Sequence, residues 1–152
     1  MSDTLQNTAE WFRQASPTPS AQNQSTQMGV HFEEVREMLM ELTPRTPEAA
    51  AILEAANNAL DNLQALLKRD ATAIGVHPSN LPMFLDSLCD QIVTATGVGT
   101  FFGVDVPGAM AEVNASNWSK FVDGKPVRDP VSQKILKGPD YFKPDLTKYI
   151  PQ

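Results

Sequence analysis

Apolar residues return every three or four positions along most of the chain as far as Trp118, the period of a helix that buries one face. Leu5, Trp11 and Phe12 predict a short amphipathic helix over 3–15. Residues 16–27 are rich in Pro, Ser and Gln, and predict a loop. Val35, Met38, Leu39 and Leu42 recur at helical spacing, predicting a second helix from about Gly29 until Pro44 ends it. A third has a clear start: Thr46 as N-cap, Pro47 in the first helical position and Glu48 in the first turn. Its apolar residues, Leu53, Ala56, Leu60, Leu63, Leu67 and Ile74, keep a near-heptad rhythm through to Gly75. So long and narrow a stripe suits packing against another helix, within a bundle or across a dimer.

A fourth helix is predicted from about Ser79, carrying Leu81, Phe84, Leu85, Leu88, Ile92 and Val93. It runs into the glycine-bearing stretch TATGVGTFFG. Gly97 and Gly99 each cost about 1 kcal/mol against alanine, so a close approach or a kink is expected there. Asp105 and Pro107 start a fifth helix with Met110, Val113 and Trp118. Past Phe121 the prolines forbid a regular helix, and Asp123-Gly124 marks a turn. Val127, Ile135 and Leu136 predict a short hairpin, and Tyr141, Phe142, Leu146 and Tyr149 are expected to pin the tail, 121–152. The pattern predicts one all-α domain over 1–152, a helical bundle with an irregular C-terminal tail.

Composition narrows the function classes. At 152 residues, with 41% hydrophobic and 20% charged, the chain has an ordinary globular balance. Its net charge of -6 argues against a duplex nucleic-acid partner, which needs a basic face to displace counterions. No apolar run approaches the roughly 18 residues expected of a membrane span. The start, MSDTLQNTAEWF, lacks the basic and continuously apolar pattern of a signal peptide. With one cysteine, Cys89, no intramolecular disulfide is possible. A cytoplasmic protein is expected, or one working in a host cytoplasm if phage-encoded.

Two acid pairs carry the candidate chemistry. Glu34 and Glu37 are spaced i,i+3, and Asp86 and Asp90 i,i+4, so each pair shares a helix face. Asp90 stands among Cys89, Ile92 and Val93, an unusual setting for a charge. Paired carboxylates repel, and a divalent cation such as Mg²⁺, which prefers oxygen ligands, would relieve that repulsion. Taken alone, each pair also reads as an ordinary solvated face.

Four stretches, HFEEVREMLMEL (31–42), DSLCDQIVTATGVGTFFGVD (86–105), EVNASNWSKFVDGKPV (112–127) and KILKGPDYFKPDL (134–146), resemble the MazG-like all-α nucleoside triphosphate pyrophosphohydrolases. The likeness is to their phosphoribosyl-ATP pyrophosphohydrolase-like, phage-type branch, and the stretches come in that family's order. The resemblance implies hydrolysis between the α- and β-phosphates, giving a nucleoside monophosphate and pyrophosphate. It implies Mg²⁺, with Mn²⁺ as an alternative, held by an E-x-x-E motif that Glu34 and Glu37 match and by an E-x-x-D motif that Asp90 closes. Ser87 stands where that second motif has its glutamate, and the nearest carboxylate is Asp86, one residue earlier. The resemblance also implies a water-activating role for Glu34 or Glu37, substrate contacts from Asn117, Lys120, Lys137 and Tyr141, and a homodimer or homotetramer. A sequestering protein that binds a nucleotide without turnover is the alternative on the same fold, and a structural helical oligomer is a third.

The remaining reactive side chains have plainer readings. His31 and His77 lack zinc-ligand spacing and read as structural or exposed. Cys89 reads as a small buried side chain. Trp11 and Trp118 read as core, and no phosphate-binding glycine loop is present.

Overall fold

A computed structural model describes residues 3–131 and 133–151. Among them the regular structure is helical: α1 (Thr4–Ala15), α2 (Ala21–Met40), α3 (Pro47–Arg69), α4 (Leu81–Phe101) and α5 (Val106–Trp118). Short 3-10 turns lie at Pro78–Asn80 and Thr147–Tyr149. The all-α expectation holds. The chain divides into two compact units, one made of the N-terminal stretch through Thr18 together with Pro82 onward, the other of Pro19–Leu81.

The unit from Pro19 to Leu81 is a pair of packed helices, α2 and α3. The expected loop over 16–27 is corrected here: α2 already begins at Ala21. Ser20 caps it, its hydroxyl accepting from the Asn23 N–H while the Asn23 side chain accepts from the Ser20 N–H. That reciprocal box satisfies two donors that a helix start leaves unpaired. Across the pair, the buried Ser25 hydroxyl donates to the Leu67 carbonyl at 2.7 Å. Gly29 lets the backbones close, since a Cβ there would come within 2.9 Å of the Gln64 carbonyl oxygen. Leu67 is 1% exposed and is the deepest side chain of the unit. The stripe of α3 therefore packs on α2.

α3 ends at Arg69, short of the expected Gly75. The Asp70 carboxylate accepts from both the N–H and the hydroxyl of Thr72, which turns the chain out of the helix. Ile74 is left outside it. Of the predicted α2 stripe, Val35 and Leu39 are half-buried, but Met38 and Leu42 are exposed.

In the other unit, α1 packs on α5. Trp11 stacks on the buried Phe121 with ring centres 5.6 Å apart, and Trp118 meets Phe121 edge-on at 5.4 Å. The Trp11 indole donates to the Asn117 carbonyl at 2.9 Å. Both tryptophans, expected in the core, are half-buried against Phe121. α5 starts as predicted, with the Asp105 carboxylate accepting from the Gly108 N–H.

α4 departs from the bundle expectation. Phe84, Leu85, Leu88, Ile92 and Val93 are all exposed, and Gly99 is its one buried residue. Gly99 explains part of the glycine stretch: a Cβ there would collide with the Val106 side chain and lie 3.2 Å from Val104. Gly97 faces open space.

The tail carries two isolated bridges rather than strands. Val122 and Lys125 pair around Asp123-Gly124, both at positive φ (50° and 71°), the two-residue turn that this dipeptide favours. Arg128 bridges to Ile135, where the hairpin was expected. The Arg128 guanidinium also donates to the Ala15 carbonyl, fastening the tail to the end of α1.

Candidate functional site

Glu34 and Glu37 sit on α2, exposed and one turn apart. Their neighbour Glu33 is half-buried and bound by the Lys68 ammonium of α3 at 2.6 Å. Partial burial, with Glu37 and then Glu33 beside it, raises the Glu34 carboxyl above its ordinary pKa. Repulsion between carboxylates is part of the cause.

Asp86 and Asp90 sit on α4, both exposed. Helical geometry places them across the helix from Phe84, Leu85, Leu88 and Ile92. Of the apolar residues near them on α4, Val93 and Met83 lie on their side, both exposed, and the charge on Asp90 is solvated. Ser87, which stands where a glutamate was expected, uses its hydroxyl on the Met83 carbonyl at 3.0 Å.

The two pairs belong to different compact units. Among the described residues no three His, Cys, Asp or Glu side chains converge as a metal group. Two carboxylates are nevertheless enough for Mg²⁺, which commonly takes its other ligands from water and from substrate phosphates. The oxygen-only chemistry of Glu34 and Glu37, one turn apart on α2, fits such an ion.

The predicted substrate contacts gather at the end of α5. The Lys120 ammonium donates to the Asn117 side-chain carbonyl at 2.7 Å. Lys137 stands over the Tyr141 ring, 4.7 Å from its centre. The two strings that hold these residues meet through Gly138, where a Cβ would lie 3.1 Å from the Lys120 carbonyl oxygen. Sequence reasoning missed what the neighbouring serines do. Ser116 donates its hydroxyl to the Phe142 carbonyl at 2.8 Å, and Ser119 accepts from the Phe142 N–H at 3.2 Å. Part of the S-N-x-S-K string thus has a structural purpose: it ties the tail to α5 and fixes the approach of 137–141 to Lys120.

A second polar cluster was also not foreseen. Glu112 on α5 accepts from the Asp145 N–H at 2.6 Å and the Tyr149 hydroxyl at 3.0 Å, and pairs with Lys148. The Lys148 ammonium, then the Asp145 N–H, hold the Glu112 carboxyl below its ordinary range. Glu112 and Tyr149 lie 37 positions apart, and only the apolar Leu146 and Tyr149 of the tail hinted at an anchor.

Cys89 is exposed on α4, not buried. Its surroundings are open because the helix is open. His77 accepts from the Ser79 N–H and caps the 3-10 turn, while His31 lies half-buried beside the Phe32 ring. No single described helix is long and apolar enough to cross a membrane. Comparison with protein-family models, curated proteins and solved structures finds no match for this chain.

Proposed function

We infer that the protein is a Mg²⁺-dependent pyrophosphohydrolase that cleaves a nucleoside triphosphate between its α- and β-phosphates. The observation that carries the reading is the pair Glu34 and Glu37, one turn apart on α2, where partial burial and the neighbouring carboxylates push the Glu34 carboxyl up. It lies within the 31–42 stretch that resembles the MazG-like family. A carboxylate of raised pKa beside a second one suits a group that orients a water molecule and accepts its proton. The water oxygen forms a new bond to phosphorus as the bridging P–O bond breaks, and pyrophosphate leaves with that bridging oxygen. Bound Mg²⁺ would supply charge neutralisation on the phosphate oxygens.

In this reading Glu34 and Glu37 on α2 provide oxygen ligands, and Asp86 and Asp90 on α4 are the acids that the family resemblance assigns to its second motif. Lys120, oriented by Asn117, presents an ammonium to a phosphate. Lys137 and Tyr141 offer a second cation and an aromatic face. The assembly expected with this activity is a homodimer or homotetramer. The Ser87 departure favours one alternative, a protein that holds a nucleotide without turning it over. The two readings separate on incubation of the protein with a panel of nucleoside triphosphates and Mg²⁺, with and without chelator. Pyrophosphate release that chelator abolishes supports the enzyme. Nucleotide binding by calorimetry with no product supports the sequestering protein.

A further inference from the structure

Two serines at the end of α5 hold both main-chain groups of a single tail residue. The Ser116 hydroxyl, on a residue only 3% exposed, donates to the Phe142 carbonyl at 2.8 Å. The Ser119 hydroxyl accepts from the Phe142 N–H at 3.2 Å and donates to the Ser116 carbonyl at 2.8 Å. The tail touches the same end of α5 a second time through Gly138. A Cβ there would lie 2.9 Å from the Val122 side chain and 3.1 Å from the Lys120 carbonyl oxygen. Between the two contacts the Tyr141 N–H donates to the Gly138 carbonyl at 3.1 Å, closing a turn. Lys137 leads into that turn and stands over the Tyr141 ring.

An ordinary tail anchor buries a ring. Here the Phe142 side chain is 44% exposed, and it is the main chain that is gripped. What the serines fix is therefore the position of the backbone that carries Lys137 and Tyr141. Charge indicates what that arrangement takes. From 120 to 152 Lys and Arg outnumber Asp and Glu seven to four, in a chain of net charge -6. Such a stretch attracts anions. Lys120 and Lys137 are donors without acceptor capacity, the compact charges that bind phosphate. A ligand that touches Lys120 on one side and Lys137 on the other binds only the fastened tail. Binding and fastening are then linked, and loosening the tail lowers the apparent affinity by the fraction left fastened.

We propose that Ser116 and Ser119 are positioning residues for the substrate's phosphates: by gripping the main chain of Phe142 they hold 137–142 as a strap whose Lys137 acts together with Lys120 on one polyphosphate. This rests on the assignment of Lys120 and Lys137 to the substrate in the functional reading, and it requires neither a metal ion nor turnover.

The probe is inorganic tripolyphosphate, which carries the phosphates without base or sugar. Calorimetry of the full chain in metal-free buffer should show it binding to the native protein. Hydrogen exchange should show the amides of 137–142 slowed by it. Ser116→Ala combined with Ser119→Ala should weaken binding about tenfold or more, with helical circular dichroism retained. Gly138→Ala, which pushes the strap from Lys120 and leaves both hydroxyls in place, should weaken it as well. Ser119→Thr, which keeps the hydroxyl, and Lys143→Gln, which removes an exposed cation of the same strap, should bind as the native protein does. In nucleotide turnover the alanine pair should raise KM and leave kcat nearly unchanged. Native protein that ignores tripolyphosphate overturns the proposal, and overturns it alone if a nucleoside triphosphate is still hydrolysed. Tripolyphosphate bound through the strap, with no nucleotide hydrolysed, sinks the enzyme reading and supports the proposal. Undiminished binding by the alanine pair, or an equal loss in Lys143→Gln, overturns it in favour of a diffuse basic surface. A fall in kcat at constant KM in the alanine pair overturns it too.

Discussion

Glu34 shows how much one residue's chemistry depends on neighbours that the sequence pattern only half reveals. The spacing to Glu37 was legible, because residues three apart share a helix face. The Lys68–Glu33 ion pair was not, because it joins residues 35 positions apart across α2 and α3. It ties up Glu33 at 2.6 Å. Burial and the two neighbouring glutamates raise the Glu34 pKa, so Glu34 should titrate above an ordinary glutamate in a carbon-detected NMR titration. If it faces a cation site, saturating Mg²⁺ should bring that titration back down, since a bound cation favours the charged form. In Glu37→Gln the starting pKa should already be lower and the Mg²⁺ effect weaker. An unchanged Glu34 titration with Mg²⁺ would remove the physical motive for an ion there.

The same contrast runs through the helices. Starts marked by one strong capping residue were readable: Thr46 before Pro47, and Asp105 before Pro107. The start of α2 was not, because Ser20 and Asn23 stand within a polar run whose composition resembles a loop. Reciprocal side-chain bonding, not hydrophobic period, begins that helix. Ser20→Ala should therefore cost about 1 kcal/mol of stability, read as a shift in urea midpoint, with the first turn of α2 exchanging faster. Gly29→Ala should destabilise as well, despite alanine's better helix propensity. Its Cβ would lie within 2.9 Å of both the Gln64 carbonyl oxygen and Lys68 Cγ, and the carbonyl cannot move without parting α2 from α3. A stabilised Gly29→Ala would mean that the helix pair is looser than this packing requires. α4 was legible as a helix but not in its surroundings. A continuous apolar segment looks the same in sequence whether its own chain or another covers it.

Across the whole molecule, the all-α class followed from the apolar period, and the irregular tail from its prolines. The anchoring of that tail was legible only in part. Tyr141 and Tyr149 are half-buried as expected, but Phe142 and Leu146 stay exposed, and the fastening is polar. Glu112 and Asp145 both have lowered pKa values, the first from Lys148 and backbone bonding, the second from Thr147. Groups held below their unfolded values contribute stability that is present above those values and lost as pH falls through the folded ones. Acid should therefore loosen the tail from α5. Glu112→Gln should flatten that acid dependence, with the Tyr149 ring reporting release by fluorescence.

The central claim, a metal-dependent pyrophosphohydrolase, turns most directly on ³¹P NMR of a nucleoside triphosphate panel with Mg²⁺, comparing the native protein with Glu37→Gln and Asp90→Asn. The account predicts nucleoside monophosphate and pyrophosphate from at least one substrate. It also predicts a loss of rate of about 100-fold or more in each variant, the scale on which a general base contributes. Products of any other bond cleavage would contradict it, as would turnover that survives both substitutions or that needs no divalent ion.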